Sequence, residues 1–243
     1  MERAAKAARA GDKVLSFLAV VLILLLLLYG GYSLWDTAMT YMGAFTSSDL
    51  LQYKPTGASG NLSLAELQKI NPDVCAWLTV DDTHIDYPVV QGEDNMEYIN
   101  KDVFGEFALS GAIFLDSSNS KDFSDRYCLL YGHHMDNGAM FGDIVEFADK
   151  DYFTAHKTGT LYRIGATDKI TLFACVKVAA SDSVVYNPTA QKGDVSSLLK
   201  YIREKAVQYR DIGIASDDHI IGLSTCAEAE TNGRVVVFGR LDK

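Results

Sequence analysis

The longest apolar segment of the chain, Val14 to Trp35, contains 22 residues and no charged side chain. A helix in a soluble core would show a polar face, and this segment shows none. At about 1.5 Å per residue a helix of this length is about 33 Å long, enough to cross a hydrocarbon core of about 30 Å. The pattern therefore predicts a transmembrane helix at residues 14–35.

Basic residues before this segment indicate how it is oriented. Residues 1–13 carry a net charge of +2, from Arg3, Lys6, Arg9 and Lys13 against Glu2 and Asp12. The positive-inside rule keeps such an N-terminus in the cytoplasm and places the rest of the chain outside the cell. Because the apolar segment is not followed by a convincing small-residue cleavage site, we expect a retained signal anchor of a single-pass cell-membrane protein.

Beyond residue 60 the apolar positions fall in short runs rich in Val, Ile, Tyr and Phe, which is typical of β-strands. We predict eight strands, at Cys75–Thr79, His84–Val90, Ala112–Asp116, Tyr127–Gly132, Thr160–Gly165, Ile170–Val178, His219–Ser224 and Arg234–Leu241. Many short strands with few helices favour a closed or nearly closed β-barrel, because closure removes exposed strand edges. The predicted fold class is mainly β.

Helical patterns interrupt these strands. Apolar residues at helical spacing predict a helix within 195–210, and shorter helical interruptions are expected near 94–100 and 140–147. Ser63 and Glu66 have the spacing of a capping box, which predicts a short helix after residue 62. The predicted organisation is a cytoplasmic N-terminus at 1–13, the membrane helix at 14–35, a juxtamembrane stalk at 36–60 and an extracellular domain at 61–243.

Charge and cysteine usage narrow the possible functions. The chain's net charge is −10 and residues 1–13 carry +2, so the remainder carries −12, which gives no electrostatic reason to bind nucleic acid. Cys75, Cys128 and Cys175 lie within apolar strands, where cysteine is usually a small buried residue, and at most one disulfide could join them. The four cysteines lack the C-x-x-C spacing of a metal site, so we expect no metal or cofactor.

Three polar residues stand at strand ends. Cys226 ends the apolar run from Ile220, Arg234 begins the next run, and the run Tyr127–Tyr131 leads into Gly132-His133-His134. If the runs that carry Cys226 and Arg234 are neighbouring antiparallel strands, the thiol and the guanidinium can face one another. A thiolate nucleophile, an imidazole that transfers protons and a cation for the oxyanion are the requirements of thiol acyl transfer.

Each of these residues alone also fits a structural role. A cysteine next to an apolar strand is usually buried, and the two histidines could be polar residues at an exposed strand end. Arg234 could pair with Glu228 or Glu230, and exposed pairs of this kind contribute only about 0–1 kcal/mol.

Together the motifs resemble those of the sortases, the membrane-anchored cysteine transpeptidases of Gram-positive cell surfaces. Leu223-Ser224-Thr225-Cys226 is similar to the T-L-x-T-C signature of that family, although Ile221-Gly222 replaces its usual first residues. Arg234 stands where the family has its active-site arginine, and Tyr131-Gly132-His133 is similar to its strand-end Gly-His. The resemblance covers about Leu62 to Leu241.

The resemblance is strongest to class B. It includes the segments 86–92, 111–116 and 131–137, and the helix-bearing stretch between Val178 and His219. It implies an eight-stranded sortase-type barrel with a few peripheral helices. It departs from some class B members at Ala227, where they carry an acidic residue.

The resemblance also implies a mechanism. The Cys226 thiolate attacks the threonine carbonyl of an N-P-x-T-type sorting motif in a secreted protein, His133 protonates the leaving amine, and Arg234 binds the substrate backbone and the oxyanion. An amine of a peptidoglycan precursor or a pilin lysine then resolves the thioacyl enzyme. His134 is the alternative histidine. The implied substrate groove comprises Asn95, Ile99, Val184, Val185, Ser224 and Thr225.

Three other functions stay open at this point. The first is a class B-like sortase that polymerises pilin subunits instead of anchoring proteins to the wall. The second is a catalytically silent, membrane-tethered barrel that acts as a scaffold. The third is a cysteine protease that releases its acyl product to water.

Overall fold

The computed structural model describes residues 2–56, 61–226 and 232–242. The chain divides into two compact units, residues 1–42 and residues 43–243. Helix α1 (Glu2–Gly43) includes a candidate membrane span at Gly11–Tyr41, whose most apolar 18-residue stretch has a mean hydropathy of 2.7 and is not buried within the protein. Helix α1 is therefore long and apolar enough to cross a membrane, as the sequence predicted for residues 14–35.

The second unit is a β-barrel. Its strands within the described residues are β1 (Val74–Val80), β2 (Asp86–Val90), β3 (Ile113–Leu115), β4 (Tyr127–Tyr131), β5 (Thr158–Arg163), β6 (Ala166–Ala179), β7 (Ala206–Tyr209), β8 (His219–Cys226) and β9 (Gly233–Asp242). Eight of them follow the order β5-β1-β2-β3-β4-β8-β9-β6, and pairing between β6 and β5 closes the barrel. The pairs β2–β3 and β4–β8 are parallel, and the other pairs are antiparallel. The predicted eight-stranded barrel is confirmed.

The ninth strand corrects one sequence prediction. Strand β7 pairs with β6 beyond the segment of β6 that pairs with β5. Its residues were predicted to belong to a helix within 195–210. Helix α5 (Ser196–Lys205) ends before it. The prediction ran too far because Ala206 continues the helical spacing of the apolar residues in α5. Only the pairing of residues 206–209 with β6 shows that they form a strand and do not continue the helix.

The remaining helices are short: α2 (Ser48–Leu51), α3 (Leu62–Ile70), α4 (Lys150–Ala155) and 3₁₀ segments at Gly142–Ala148 and Pro188–Gln191. The 3₁₀ segment at Gly142–Ala148 fits the interruption expected near 140–147, whereas residues 94–100 form turns. The predicted capping box is wrong, because Asn61 is the N-cap of α3 and Ser63 lies inside the helix.

Strands β8 and β9 are buried on both faces. In β9, Val235 and Val237 point into the barrel core, whereas Val236 and Phe238 pack in a second core that α5 covers through Leu198 and its neighbours. Successive side chains of a strand point to opposite faces, so a strand buried on both sides has a continuous apolar sequence. The candidate site is therefore carried by two strands, β8 and β9, that are packed on both faces.

Residues 44–56, which the sequence assigned to a stalk, pack within the barrel unit. Ala44 and Leu50 are buried, and the Tyr87 hydroxyl donates a hydrogen bond of 3.1 Å to the Ala44 carbonyl. The Asp86 carboxylate lies 2.5 Å from the Lys54 ammonium, and Thr46 donates to the Asp86 carbonyl. Such a segment has too few apolar residues for a pattern, so its packing was not visible in the sequence.

Candidate active site

Strands β8 and β9 bring Cys226 and Arg234 together. The two residues are Cα partners at the last position of the antiparallel register, after Thr225 with Val235 and Ser224 with Val236. The Nη1 group of Arg234 donates to the Gly233 carbonyl at 2.9 Å. Glu228 and Glu230, the alternative partners of Arg234, lie outside the described residues.

Strand β4 brings a histidine to the same end of the barrel. Tyr131 is the parallel partner of Ser224, and the Gly132 amide donates to the Ser224 carbonyl at 3.2 Å. A Cβ atom at Gly132 would lie 2.4 Å from the Ile113 side chain and 2.7 Å from the Phe141 ring. A glycine fits there because a larger residue would collide with these two buried side chains next to His133.

The His133 ring has a fixed orientation. Its Nε2 atom lies 2.8 Å from the carbonyl oxygen of Ile99, and its own carbonyl accepts a hydrogen bond from the Phe141 amide. A carbonyl oxygen can only accept, so the contact requires a proton on Nε2. In the neutral ring Nδ1 is therefore the basic nitrogen, free of this proton and available as an acceptor.

His134 faces different surroundings. Its Nε2 atom lies 3.3 Å from the Asp136 carboxylate, and its side chain is 16% exposed. It lines a concavity with Met135, Asp143 and Glu146 that includes neither His133 nor Arg234. The geometry therefore favours His133 over His134 as the histidine of the candidate site.

Two adjoining concavities form a groove at this end of the barrel. The first has a volume of about 130 Å³ and is lined by Ile99, Phe114, Tyr131, Gly132, His133, Ser224, Thr225 and Arg234. The second has a volume of about 360 Å³ and is lined by Asn95, Phe114, Asp116, Tyr131, Ala180, Tyr186 and Arg234. Phe114, Tyr131 and Arg234 line both, so the two concavities are neighbours. The groove contains four of the six residues that the sequence assigned to substrate binding: Asn95, Ile99, Ser224 and Thr225.

The other two assigned residues do not line this groove. Val185 is fully buried in the second core, and Val184 packs against that core. The assignment of Val185 to substrate contact is therefore corrected, because a side chain with no exposed surface cannot touch a peptide. Its neighbour Tyr186 reaches the groove instead.

Aromatic side chains form one wall of the groove, which the sequence did not predict. The Tyr186 hydroxyl lies 2.9 Å from the Ser224 hydroxyl, and its ring stacks on Tyr131 with centroids 6.2 Å apart. Phe114 also packs against Tyr131, with ring centroids 5.2 Å apart. The only signal was aromatic residues in apolar runs, which core residues share.

A buried carboxylate supports this wall. Asp116 is 4% exposed and accepts hydrogen bonds from the Tyr131 hydroxyl at 2.8 Å and from the Asn95 amide at 2.9 Å. Burial, followed by the charge of Asp116, raises the pKa of Tyr131 well above its usual value of about 10. Tyr131 therefore stays protonated, and Asp116 holds Asn95 and Tyr131 in fixed positions.

The other three cysteines have buried side chains: Cys75, Cys128 and Cys175. Burial raises the pKa of both Cys75 and Cys175 to about 12. A thiol must ionise to act as a nucleophile, so neither residue is a candidate. Within the described residues, no group of three or more histidine, cysteine or acidic side chains could hold a metal ion.

Comparison with known proteins identifies the family. The Sortase domain model matches residues 78–242, more than half of the chain. The chain is 31% identical to Sortase B of Listeria monocytogenes over 243 residues, which cover 94% of this chain and 98% of that protein. This chain belongs to the sortase family, whose members are cysteine transpeptidases.

The similar solved structures are class B sortases. A class B sortase of Streptococcus pyogenes involved in pilus biogenesis is 44% identical, with a TM-score of 0.68, and the match covers 73% of this chain and 97% of that one. The Staphylococcus aureus sortase B–substrate complex is 28% identical with a TM-score of 0.69, covering 75% and 85%. The class B resemblance seen in the sequence is therefore confirmed.

Proposed function

We propose that this protein is a membrane-anchored class B-type sortase that cleaves an N-P-x-T-type sorting motif and transfers the acyl group to an amine of a peptidoglycan precursor. The observation that carries the proposal is the convergence of three strand ends. Cys226 and Arg234 are opposite one another on β8 and β9, and His133 and Arg234 line the same concavity. Cys226, His133 and Arg234 are the proposed catalytic residues.

In the first step the Cys226 thiolate attacks the carbonyl carbon of the motif's threonine. A carbon–sulfur bond forms, and the carbonyl electron pair moves to oxygen, where the Arg234 guanidinium stabilises the negative charge. Collapse of this intermediate breaks the peptide bond. The leaving amine takes a proton from the His133 imidazolium, so a thioester and a free C-terminal fragment result.

In the second step an acceptor amine attacks the thioester carbonyl. The neutral His133 imidazole takes a proton from the attacking amine, and the proposed site for this proton is Nδ1, because Nε2–H is held by Ile99. The carbon–sulfur bond breaks, the thiolate of Cys226 is restored, and a new amide is released. The imidazole returns to the imidazolium needed for the next cycle.

The groove provides the contacts for an extended peptide. The Thr225 hydroxyl is buried, and its oxygen has no hydrogen-bond partner in the part of the chain that the structure describes. It is a candidate donor to the substrate backbone, because an unpaired buried hydroxyl is costly. Asn95 and the aromatic rings of Tyr131 and Tyr186 would hold the residues before the threonine.

Residues 1–13 carry a net positive charge, which supports a cytoplasmic N-terminus and an extracellular barrel under the positive-inside rule. This arrangement matches the chemistry, since secreted proteins and wall precursors are both met outside the membrane. The proposed partners are secreted proteins that bear the sorting motif.

A peptide assay tests the proposed function. The full chain is incubated with a fluorescent N-P-x-T-type peptide, with and without an added amine, and the products are separated by mass. We expect an amide with the added amine, and no product from the Cys226→Ala variant. Cleavage that ignores the amine would indicate a protease, and absence of any product would indicate a silent scaffold.

A second candidate function is pilin polymerisation. The specific support is the 44% identity to the Streptococcus pyogenes enzyme involved in pilus biogenesis, compared with 31% to Listeria monocytogenes Sortase B. Competition between a lysine-bearing pilin peptide and a peptidoglycan-type amine separates the two functions. Preferential transfer to the lysine side chain would favour polymerisation.

A further inference from the structure

Three exposed apolar residues lie on the loop between β2 and β3. Phe107 is 76% exposed, Leu109 is 52% exposed and Phe104 is 42% exposed. Contiguous exposed apolar residues on a folded domain indicate an interaction surface. None of the three lines the concavities that contain His133 and Arg234.

The loop that carries these residues, residues 100–109, satisfies many of its own polar groups. The Asp102 carboxylate accepts hydrogen bonds from the amides of Phe104 and Glu106, each at 2.9 Å. The Ala108 amide donates to the Asn100 carbonyl at 3.1 Å. Within the loop, the Lys101 ammonium lies 3.2 Å from the Glu97 carboxylate. A loop that touches hydrocarbon needs such internal pairing, because lipid offers no hydrogen bonds to the backbone.

The loop also lies beside the residues that follow the candidate membrane span. Phe104 and Phe45 line one concavity of about 220 Å³, together with Gly43 and Ala44. Phe45 is 38% exposed and follows Tyr41, the last residue of the span, by four positions. Four residues reach at most about 14 Å, at about 3.3–3.6 Å per residue, so Phe45 must lie near any bilayer that this span crosses.

We propose that Phe104, Phe107, Leu109 and Phe45 form a lipid-contacting patch that seats the catalytic barrel on the outer surface of the membrane. The occupant is the phospholipid surface itself, because the patch joins the end of the membrane helix through continuous chain and its outward residues are aromatic or aliphatic. Aromatic side chains are favoured at the boundary between hydrocarbon and headgroups.

The patch has a consequence for the proposed enzyme. Ile99, whose carbonyl holds the His133 ring, directly precedes the 100–109 loop. Lipid contact would fix the loop and, through it, the segment that orients the imidazole. The inference rests on the proposed membrane anchoring but not on the identity of the acceptor.

Photo-crosslinking in vesicles tests the patch. Benzoylphenylalanine replaces Phe107 in the full chain, which is reconstituted in vesicles of phosphatidylcholine and phosphatidylglycerol in equal parts and irradiated. The same residue replaces Leu26 inside the candidate span as a positive control. It replaces Ile164, which is 45% exposed in the turn between β5 and β6, as a matched exposed control.

We expect peptides containing position 107 to gain the mass of one phospholipid, as at 26, with only background at 164. An adduct at 26 but none at 107 overturns the patch and leaves the anchored enzyme standing. No adduct at 26 would instead reject the membrane anchoring. A cross-linked dimer through 107 would assign the patch to self-association and also overturn the proposal. Leu109 serves as a second test position should the change at 107 disturb folding.

Discussion

The Nε2 atom of His133 lies 2.8 Å from the carbonyl oxygen of Ile99. A backbone carbonyl therefore orients the imidazole of the candidate site. The position of that carbonyl depends in turn on Gly111, which packs against it with a φ of +60°. The backbone conformation at Gly111 thus affects, through the Ile99 carbonyl, the orientation of His133, which carries the proposed proton transfer.

The Gly111→Ala substitution should disturb this arrangement. A Cβ atom at position 111 would lie 2.4 Å from the Ile99 oxygen and 2.8 Å from the Tyr98 oxygen, so the backbone must move. Since a misplacement of about 1 Å can cost about 100-fold in rate, we expect turnover to fall at least tenfold. The ¹⁵N NMR signals of His133 should change from the Nε2–H tautomer to a mixture.

Gly105→Ala is the matched control. Gly105 also has a positive φ, +84°, but a Cβ atom there would meet nothing within 4 Å. Both variants carry the conformational cost of a positive φ, and only one displaces Ile99. Equal turnover and equal ring signals in the two variants would show that the carbonyl does not orient His133.

The strand positions and the membrane helix could be predicted from the sequence because both produce uninterrupted apolar runs. The 22 uncharged residues at Val14–Trp35 and the apolar runs of β8 and β9 require burial in lipid or in a core. The pairing of Cys226 with Arg234 could then be predicted, since a short connection between antiparallel strands places their ends opposite one another.

Features that depend on the assembled packing could not be predicted. Val185 is buried, whereas its neighbour Tyr186 lines the groove. The two residues are adjacent in a segment with little regular structure, so no pattern distinguishes them. Strand β7 is defined by its pairing with β6. The packing of residues 44–56 on the barrel depends on a few contacts, such as the hydrogen bond between Tyr87 and Ala44. None of these relationships has a local sequence signature.

Arg234→Lys should separate a catalytic from a structural arginine. Lysine keeps the charge but lacks the planar, forked guanidinium, so it is a poor replacement at an oxyanion or substrate backbone. Loss of one such donor typically costs on the order of 100- to 1000-fold in rate, and we expect a fall of at least about tenfold with little change in melting temperature.

Arg240→Lys, near the other end of β9, is the control for this change. Arg240 is also partly exposed and lies 2.7 Å from Asp242. Its replacement should leave turnover nearly unchanged. Near-normal turnover of Arg234→Lys would leave only Cys226 and His133 as the proposed catalytic pair.

Stability should decrease at alkaline pH because of the buried thiols. A thiol in the unfolded chain titrates near pH 8.5, whereas burial raises the pKa of Cys175 to about 12. Between these values only the unfolded state loses the proton, so each such thiol lowers the free energy of unfolding by about 1.4 kcal/mol per pH unit.

The Cys175→Ala variant should therefore lose less stability between about pH 8.5 and 10, the range set by the thiol pKa values. Urea unfolding at several pH values measures this slope. Val176→Ala, the neighbouring buried position, should lower stability at every pH without changing the slope. Parallel slopes for wild type and Cys175→Ala would contradict the assignment.

Residues 44–56 should contribute to the stability of the barrel. A variant that begins at Asn61 loses the buried Leu50 side chain and the hydrogen bond between Ala44 and Tyr87, which a variant that begins at Gly43 retains. We expect a difference of about 3 kcal/mol in the free energy of unfolding. Identical urea midpoints would mean that this segment contributes nothing to the fold.

The central claim is that Cys226 forms a thioester with the threonine of a sorting motif. The most direct test is to mix the full chain with an N-P-x-T-type peptide in the absence of an acceptor amine, quench in acid and map the acyl adduct by peptide mass spectrometry. We expect the added mass on the peptide that contains Cys226, its absence in His133→Ala or Cys226→Ala, and its loss when an amine is added before the quench. An adduct on Cys75, Cys128 or Cys175, or turnover of the peptide by Cys226→Ala, would contradict the account.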